Sequence, residues 1–284
     1  MPLAAHHEWI RLYNTRRGPV LDCGGRWIAA AESFDALVSR GGGLLAHVRE
    51  LAQTAPDEEP PDTAELLPPI GSQEVWGAGV TYFRSRTARM AESGSSGARD
   101  LYDRIYHAER PELFLKATPH RVVGHGQAMR LRRDSTWIVP EPELTLLIGP
   151  DRRILGYTIG NDLSCRDIEG ENPLYLPQAK TYDRCAAIGP GVLISESAPG
   201  GDTAIALEII RGSAVVFRGS TTVGEIKRPL ADLVAYLFRE AAFPAGCLLM
   251  TGTGVVPPDD FSLQRGDEAR ITIEPIGTLS NSME

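Results

Sequence analysis

Glu141, Glu143 and Asp162 are the residues of this chain whose types and spacing could do chemistry together. In VPEPELTLLIG, residues 139–149, the two glutamates are separated by a single proline. Side chains alternate along an extended strand, so both glutamates project to the same side. Like charges held that close disfavour each other unless a cation sits between them. The next segment, ILGYTIGND, ends in Asp162, and Gly149-Pro150-Asp151-Arg152 between the two is a turn signal. If the segments pair as a hairpin, positions summing to about 303 face each other, and Asp162 falls opposite Glu141. Three carboxylates at one end of a sheet suit a hard cation with oxygen ligands: Mg²⁺, Ca²⁺ or Mn²⁺. Zn²⁺ fits less well, because no Cys or His stands at metal-ligand spacing nearby. The same residues also fit a plain Glu-x-Glu pair on a solvated strand face with Asp162 as a turn residue, and spacing alone leaves both readings open.

The elements that would position these groups read as follows. Pro142 cannot donate a ladder hydrogen bond, which predicts an edge or an irregular strand end there. Short apolar pieces in residues 1–30 (EWIRLY, PVLDC, RWIAA) predict small strands. The spacing of Phe34, Leu37, Val38, Leu45, Val48 and Leu51 predicts helix, interrupted at Gly41-Gly42-Gly43. Residues 54–69, with five prolines and five acidic groups, read as a linker. This divides the chain into a small N-terminal domain and linker over 1–69 and a catalytic domain over 70–284. Within the latter, VWGAGVTY predicts a strand and residues 85–109 a polar helical stretch. Strands ELFLKA, MRLRR, LTLLIG, ILGYTIG, GVLIS, AIALEII, AVVFRG and ARITIEPI follow, with a helix at PLADLVAYLFREAA. Strands and isolated helices without regular alternation predict a β-rich α+β fold.

Composition narrows the function classes. A net charge of −8 argues against nucleic acid, which needs a basic surface. No stretch approaches the roughly 20 apolar residues of a membrane span, and the N-terminus does not read as a secretion signal. Four scattered cysteines, at 23, 165, 185 and 247, favour reduced thiols and a cytoplasmic setting. Three of the 29 basic residues are lysines, Lys116, Lys180 and Lys227, and the rest are arginine. Lysine, unlike arginine, can shed its proton when buried, so each of the three merits inspection.

The runs PELFLKA, PEPELTLLIG, GYTIGNDLSCRD, AKTYD, IGPGVL, TGTG and LQRGDEARITIEPIGTLSN, in that order over about residues 70–284, resemble the fumarylacetoacetate hydrolase superfamily. PELFLKATPHRVVGHG and IEGENPLYLPQAK look closest to its 2-keto-3-deoxy-D-arabinonate dehydratase branch. The resemblance implies a mixed β-roll or sandwich core and a homodimer or homotetramer. It implies Glu141, Glu143 and Asp162 as metal ligands, Lys180 and Glu112 as catalytic groups, and Thr253 near the substrate carboxylate. Arg86 and Tyr175 complete the candidate substrate-binding set. The C–C bond hydrolases of the superfamily carry a water-activating histidine after the strand that matches GVTY. This chain has no histidine from Val80 through Tyr106, which favours dehydration.

The activity implied is Mg²⁺-dependent dehydration of a small-molecule 2-keto-3-deoxy sugar acid, a pentonate, to 2-oxoglutarate semialdehyde through a metal-stabilised enolate. Lys180 would act as base only with its pKa lowered from about 10.4, and Glu112 as acid with its own raised. A C–C bond hydrolase, decarboxylase or isomerase of another 2-keto acid would use the same metal platform. A non-catalytic binding module stabilised by Ca²⁺ is the reading from another class. Asp167 reads as an ion-pair partner of Arg166, and His107, His120 and His125 take no role.

Overall fold

The computed structural model describes residues 9–82 and 105–284. Arg86 and most of the polar stretch expected at 85–109 lie outside the described residues.

The N-terminal part folds as β1 (Ile10–Thr15), β2 (Val20–Cys23), β3 (Arg26–Ala29), α1 (Phe34–Ser39) and α2 (Leu44–Thr54). Ser33 caps α1 by accepting the Ala36 N–H at 3.1 Å, satisfying one donor that the helix cannot. Gly41–Gly43 form a single 3₁₀ turn between the helices, as three glycines predict. Residues 54–69 are laid down as structure rather than left as a free span: β4 (Asp57–Glu58) pairs with β3, and β5 (Leu66–Leu67) pairs with β1.

Next come β6 (Glu74–Gly79), β7 (Glu112–Ala117), β8 (Val122–Val123), β9 (Ile138–Val139), β10 (Pro142–Ile148), β11 (Ile154–Asp162) and β12 (Ser164–Cys165). They lead into α3 (Arg166–Glu171), α4 (Leu176–Lys180) and β13 (Ala186–Ile194). The chain closes with β14 (Ala204–Arg211), β15 (Ala214–Thr222), α5 (Leu230–Leu237), β16 (Cys247–Met250), β17 (Glu268–Ile273) and β18 (Gly277–Ser282). MRLRR is not a strand: Met129 makes only an isolated bridge to Met283. The strand expected at VWGAGVTY stops at Gly79, because Val80 adopts a left-handed φ of 54° that no regular strand accommodates.

Among the described residues a 12-stranded, mostly antiparallel sheet runs in the order β4-β3-β2-β1-β13-β11-β10-β16-β6-β7, with β5 and β8 attached. The N-terminal strands are thus continuous with the central ones through β1 and β13. A four-stranded sheet, β15-β14-β17-β18, covers one face. Leu144, Leu146 and Ile159 pack there with Ile205, Leu207 and Ile209 of β14 and Ile271 of β17. On the other face Leu147, Leu248 and Ile188 meet Leu37, Val38, Leu44 and Val48 of α1 and α2. The fold is therefore α+β and β-rich, a sheet sandwich with helices on its outer face.

β10 and β11 pair as the turn predicts: Pro142↔Asn161 through Leu147↔Gly156 hold one register, broken by a bulge only beside the turn. Pro142 is not on an edge strand, since β10 lies between β11 and β16. The β16 ladder covers only Thr145 to Ile148, so Pro142 sits beyond its end, where no partner needs the missing N–H.

His125 ties the loop after β8 to β18: its Nδ1 accepts the Ser280 N–H at 3.2 Å. Burial lowers its pKa, opposed by the Thr278 backbone and Glu268. The unfolded chain then binds a proton at a pH where the folded chain does not. Stability from this site is complete above the unfolded value of about 6.5 and is lost as pH falls through it toward the folded value. Wild type is expected to lose more Tm between pH 7.5 and 5.5 than His125→Gln, as read by calorimetry; equal losses would contradict this role for the imidazole.

Candidate active site

The site lies at one end of the central strands, where β10 begins, β11, β16 and β6 end, and β7 begins. Asp162 donates its backbone N–H to the Glu141 carbonyl at 3.0 Å, which continues the hairpin register one pair past the strand. Glu143, Thr145 and Leu147 share one face of β10, and Gly160 and Asp162 the matching face of β11. Glu141, Glu143 and Asp162 are all buried, and one oxygen from each lies within 4.8 Å of the others. In an octahedral Mg²⁺ shell with metal–oxygen distances near 2.1 Å, opposite oxygens are about 4.2 Å apart. The three carboxylates fit a hard divalent cation after sub-ångström adjustment. The solvated-face reading of the Glu-x-Glu pair is excluded by its burial.

Among the described residues, three cations surround these carboxylates. Lys180, the last residue of α4, reaches Glu141 Oε2 at 2.5 Å, Asp162 Oδ2 at 2.9 Å and Ser164 Oγ at 2.5 Å. Arg166 Nη2 donates to Glu141 Oε1 at 2.7 Å. Lys116 Nζ lies 2.6 Å from Asp162 Oδ1. Lys116, Lys180 and Arg166 are no more than 2% exposed, so the charges of Glu141 and Asp162 are met by cations within the interior. Removing one member of such a buried set typically costs about 3–5 kcal/mol, because its partner is left unpaired.

Glu143 differs from its two neighbours. It accepts the Gly252 backbone N–H at 2.5 Å. Burial pushes its carboxyl well above the ordinary carboxylate range, Asp162 and Glu141 push it further, and Lys180 and the Gly252 N–H offset only part of this. A cation placed among the three carboxylates would remove that penalty, so the donor set and its electrostatics both suit a metal.

Gly252 has φ +90°, and a Cβ there would come within 2.0 Å of Thr81 Oγ1, so only glycine brings this N–H to Glu143. Thr253 lines the same cavity, with its Oγ1 accepting the Val255 N–H at 3.1 Å. Glu112 is brought to the edge of the site: it pairs with Gly79, and a Cβ on Gly79 would lie 2.1 Å from Glu112 Oε2. Phe114, two residues on, lies with its ring centroid 5.5 Å from Lys180 Nζ. Tyr175 stands 36% exposed in the turn before α4 and is not among the residues lining the cavity. The Arg166–Asp167 pair expected from sequence does not form. Asp167 instead accepts from Ser135 Oγ and the Thr136 N–H, which frees Arg166 to reach Glu141.

Sequence reasoning missed Arg166, Ser164 and Lys116 at this site. The alternation of ELFLKA, which sets Glu112, Phe114 and Lys116 on one side, was the available signal for the last. The cavity between the carboxylates has a volume of about 20 Å³, room for an ion or one water. A larger cavity of about 530 Å³ lies elsewhere, lined by Leu44, Leu45, Ile154 and Val234, and holds no convergent carboxylates.

The fumarylacetoacetate (FAA) hydrolase C-terminal family model matches residues 75–284. A probable 2-keto-3-deoxyxylonate dehydratase of Haloferax volcanii is 44% identical over 255 residues, covering 85% of this chain and 87% of its own. A 2-dehydro-3-deoxy-D-arabinonate dehydratase of Saccharolobus solfataricus is 43% identical over 216 residues, covering 75% and 72%. A solved structure of a 2-keto-3-deoxy-D-arabinonate dehydratase complexed with magnesium and 2,5-dioxopentanoate superposes with a TM-score of 0.80 at 32% identity, covering 97% of this chain and 98% of that one. The match extends over the strands that carry the carboxylates, the lysine and the glycine-rich loop, and this chain belongs to the fumarylacetoacetate hydrolase family.

Proposed function

We propose that this chain is a hydro-lyase that dehydrates a 2-keto-3-deoxy-pentonate to 2-oxoglutarate semialdehyde at a Mg²⁺ site held by Glu141, Glu143 and Asp162. The observation that carries the reading is the buried carboxylate trio with Lys180 donating into it, in a chain whose relatives bear dehydratase names. Bound there, the cation supplies the positive centre that offsets negative charge developing on the 2-keto oxygen. The chain's own residues do the rest. Lys180 Nζ and the Glu112 carboxyl are the groups that exchange protons with carbon 3 and with the departing carbon-4 hydroxyl. Loss of a carbon-3 proton and the carbon-4 hydroxyl releases one water. Moving a carbon-5 proton to carbon 3 then gives an enol that tautomerises to the aldehyde.

Phe114 screens Lys180 from bulk water, which strengthens the charge interactions around its ammonium. Thr253 is the proposed contact for the substrate carboxylate, with Arg86 and Tyr175 as further proposed binding residues. Mn²⁺ and Ca²⁺, which share the preference for oxygen ligands, are proposed substitutes. A homodimer or homotetramer, a cytoplasmic setting consistent with four free buried cysteines, and a folding boundary near residue 69 complete the proposal.

Three measurements test this reading. Incubation with a 2-keto-3-deoxy-pentonate should yield the aldehyde, stop on addition of chelator and resume with Mg²⁺. Cleavage of an acylpyruvate with no aldehyde from the sugar acid would contradict it in favour of the hydrolase alternative.

Glu143→Gln should abolish Mg²⁺-dependent turnover by at least about 100-fold. It should also flatten the pH dependence of the metal-free protein. A carboxyl raised by folding keeps its proton where the unfolded chain has lost it, so wild-type stability falls as pH rises above about 4.5. Parallel Tm profiles for the two proteins would refute the assignment of that charge to Glu143.

Gly79→Ala should displace the Glu112 carboxyl and lower kcat about 10- to 100-fold while leaving Mg²⁺ binding intact. Unchanged kcat would remove Glu112 from the reaction.

A further inference from the structure

Lys116 is fully buried, yet no step of the proposed reaction uses it. Its position follows from an irregularity in the β6–β7 ladder. From Gly79↔Glu112 to Trp76↔Leu115 the register is constant, but the next pair is Val75↔Ala117. Lys116 is the extra residue of a bulge on β7. A bulge bends the strand and re-aims the side chain at that point.

Here the bulge sends the ammonium to three acceptors. Nζ sits 2.6 Å from Asp162 Oδ1, donates to the Leu163 carbonyl at 2.9 Å and donates also to the Lys180 carbonyl. Two of its N–H donors are engaged by backbone carbonyls, and the contact with Asp162 Oδ1 is an ion pair. The acceptors belong to the third carboxylate of the cation site, to the residue after it, and to the backbone of the lysine that moves protons. The Tyr182 ring, with its centroid 5.9 Å from Nζ, packs beside the group.

We propose that Lys116 is a positioning residue of the dehydration, one that sets the orientation of the Asp162 carboxylate at the cation site and ties the end of α4 to the end of β11. The inference rests on the functional reading above. Asp162 can turn about its side-chain torsions. Lys116 beside Oδ1 and Lys180 at 2.9 Å from Oδ2 together restrict that rotation. The same ammonium sets how far Lys180 Nζ stands from Glu141 and Asp162, because it grips the Lys180 backbone. Arginine is a poor replacement: its longer, planar guanidinium cannot meet three acceptors that converge on one compact ammonium.

The test measures Mg²⁺ binding directly, by calorimetry on full-length protein without substrate. Lys116→Met keeps the apolar stem and removes the charge. The expected result is a Mg²⁺ Kd weakened 10- to 100-fold, the range for losing an outer partner of a metal ligand. At saturating Mg²⁺, kcat should also fall at least about 10-fold while substrate KM changes less than about twofold, because Lys116 does not touch substrate. Lys116→Arg should restore neither quantity fully. A role confined to stability would lower Tm and leave both the Kd and the kcat of the folded fraction unchanged, and that result overturns the proposal.

If Lys116→Met does not accumulate folded, the wild type itself provides the readout. Lysine occurs at only three positions, so ε-¹⁵N-lysine labelling gives three side-chain resonances to follow. The one that persists in both Lys180→Met and Lys227→Met belongs to Lys116. It should shift on Mg²⁺ saturation, as its Asp162 partner is drawn to the cation, and an unmoved signal overturns the proposal. A wild type that neither binds Mg²⁺ nor forms aldehyde instead overturns the functional reading beneath it, so the two failures are distinct.

Discussion

Three carboxylates cannot stay charged in a dry interior unless matching charge is brought to them, and much of the fold around the site can be understood as meeting that demand. Glu141 is met by Arg166 and Lys180, and Asp162 by Lys116 and Lys180. Glu143 has one backbone N–H and a neighbour's partial help, and its carboxyl is the one pushed upward. The cations come from three separate elements: the bulge of β7, the start of α3 and the end of α4. Each element is held in place by the pair it supplies. The cluster that would hold an ion is also a cross-link among the strands and helices that build it.

This arrangement explains why the site sits where sequence-distant segments meet. Strand pairing in the hairpin sets Asp162 opposite Glu141, but the lysines arrive from β7 and α4, which are remote in sequence from β10. Gly252 arrives from the loop after β16, in a conformation closed to other residues by Thr81. The left-handed Val80 ends β6 beside that loop and lines the same cavity. A β-branched residue held with φ of 54° is a strained conformation, and such strain persists where surrounding structure over-determines it.

The sequence was informative where a local rule sufficed. The Gly-Pro-Asp-Arg turn and strict alternation fixed the hairpin register, and the observed pairs sum to 303 from Pro142↔Asn161 through Leu147↔Gly156. The helices α1 and α2 and the glycine interruption between them followed from apolar spacing. Other features depended on tertiary pairing and were not legible. GTLSNS forms β18 although only Leu279 is apolar, because it completes a hairpin with β17. MRLRR has alternation but no partner strand to pair with along its length. Arg166 looked like a neighbour of Asp167, when the two side chains serve different partners. The rarity of lysine drew attention to Lys116 and the alternation of ELFLKA sets it on the Glu112 side, but its partners on β11 and α4 are brought to it by tertiary contacts that no single-strand pattern encodes.

The central claim is that the buried carboxylates share one cation within reach of Lys180. Crystals grown with Mn²⁺ and measured at the manganese absorption edge test it most directly. The account predicts a single anomalous peak bounded by oxygens of Glu141, Glu143 and Asp162. A fully occupied peak elsewhere, with those three side chains unchanged and still held by Lys116, Lys180, Arg166 and Gly252, would contradict it.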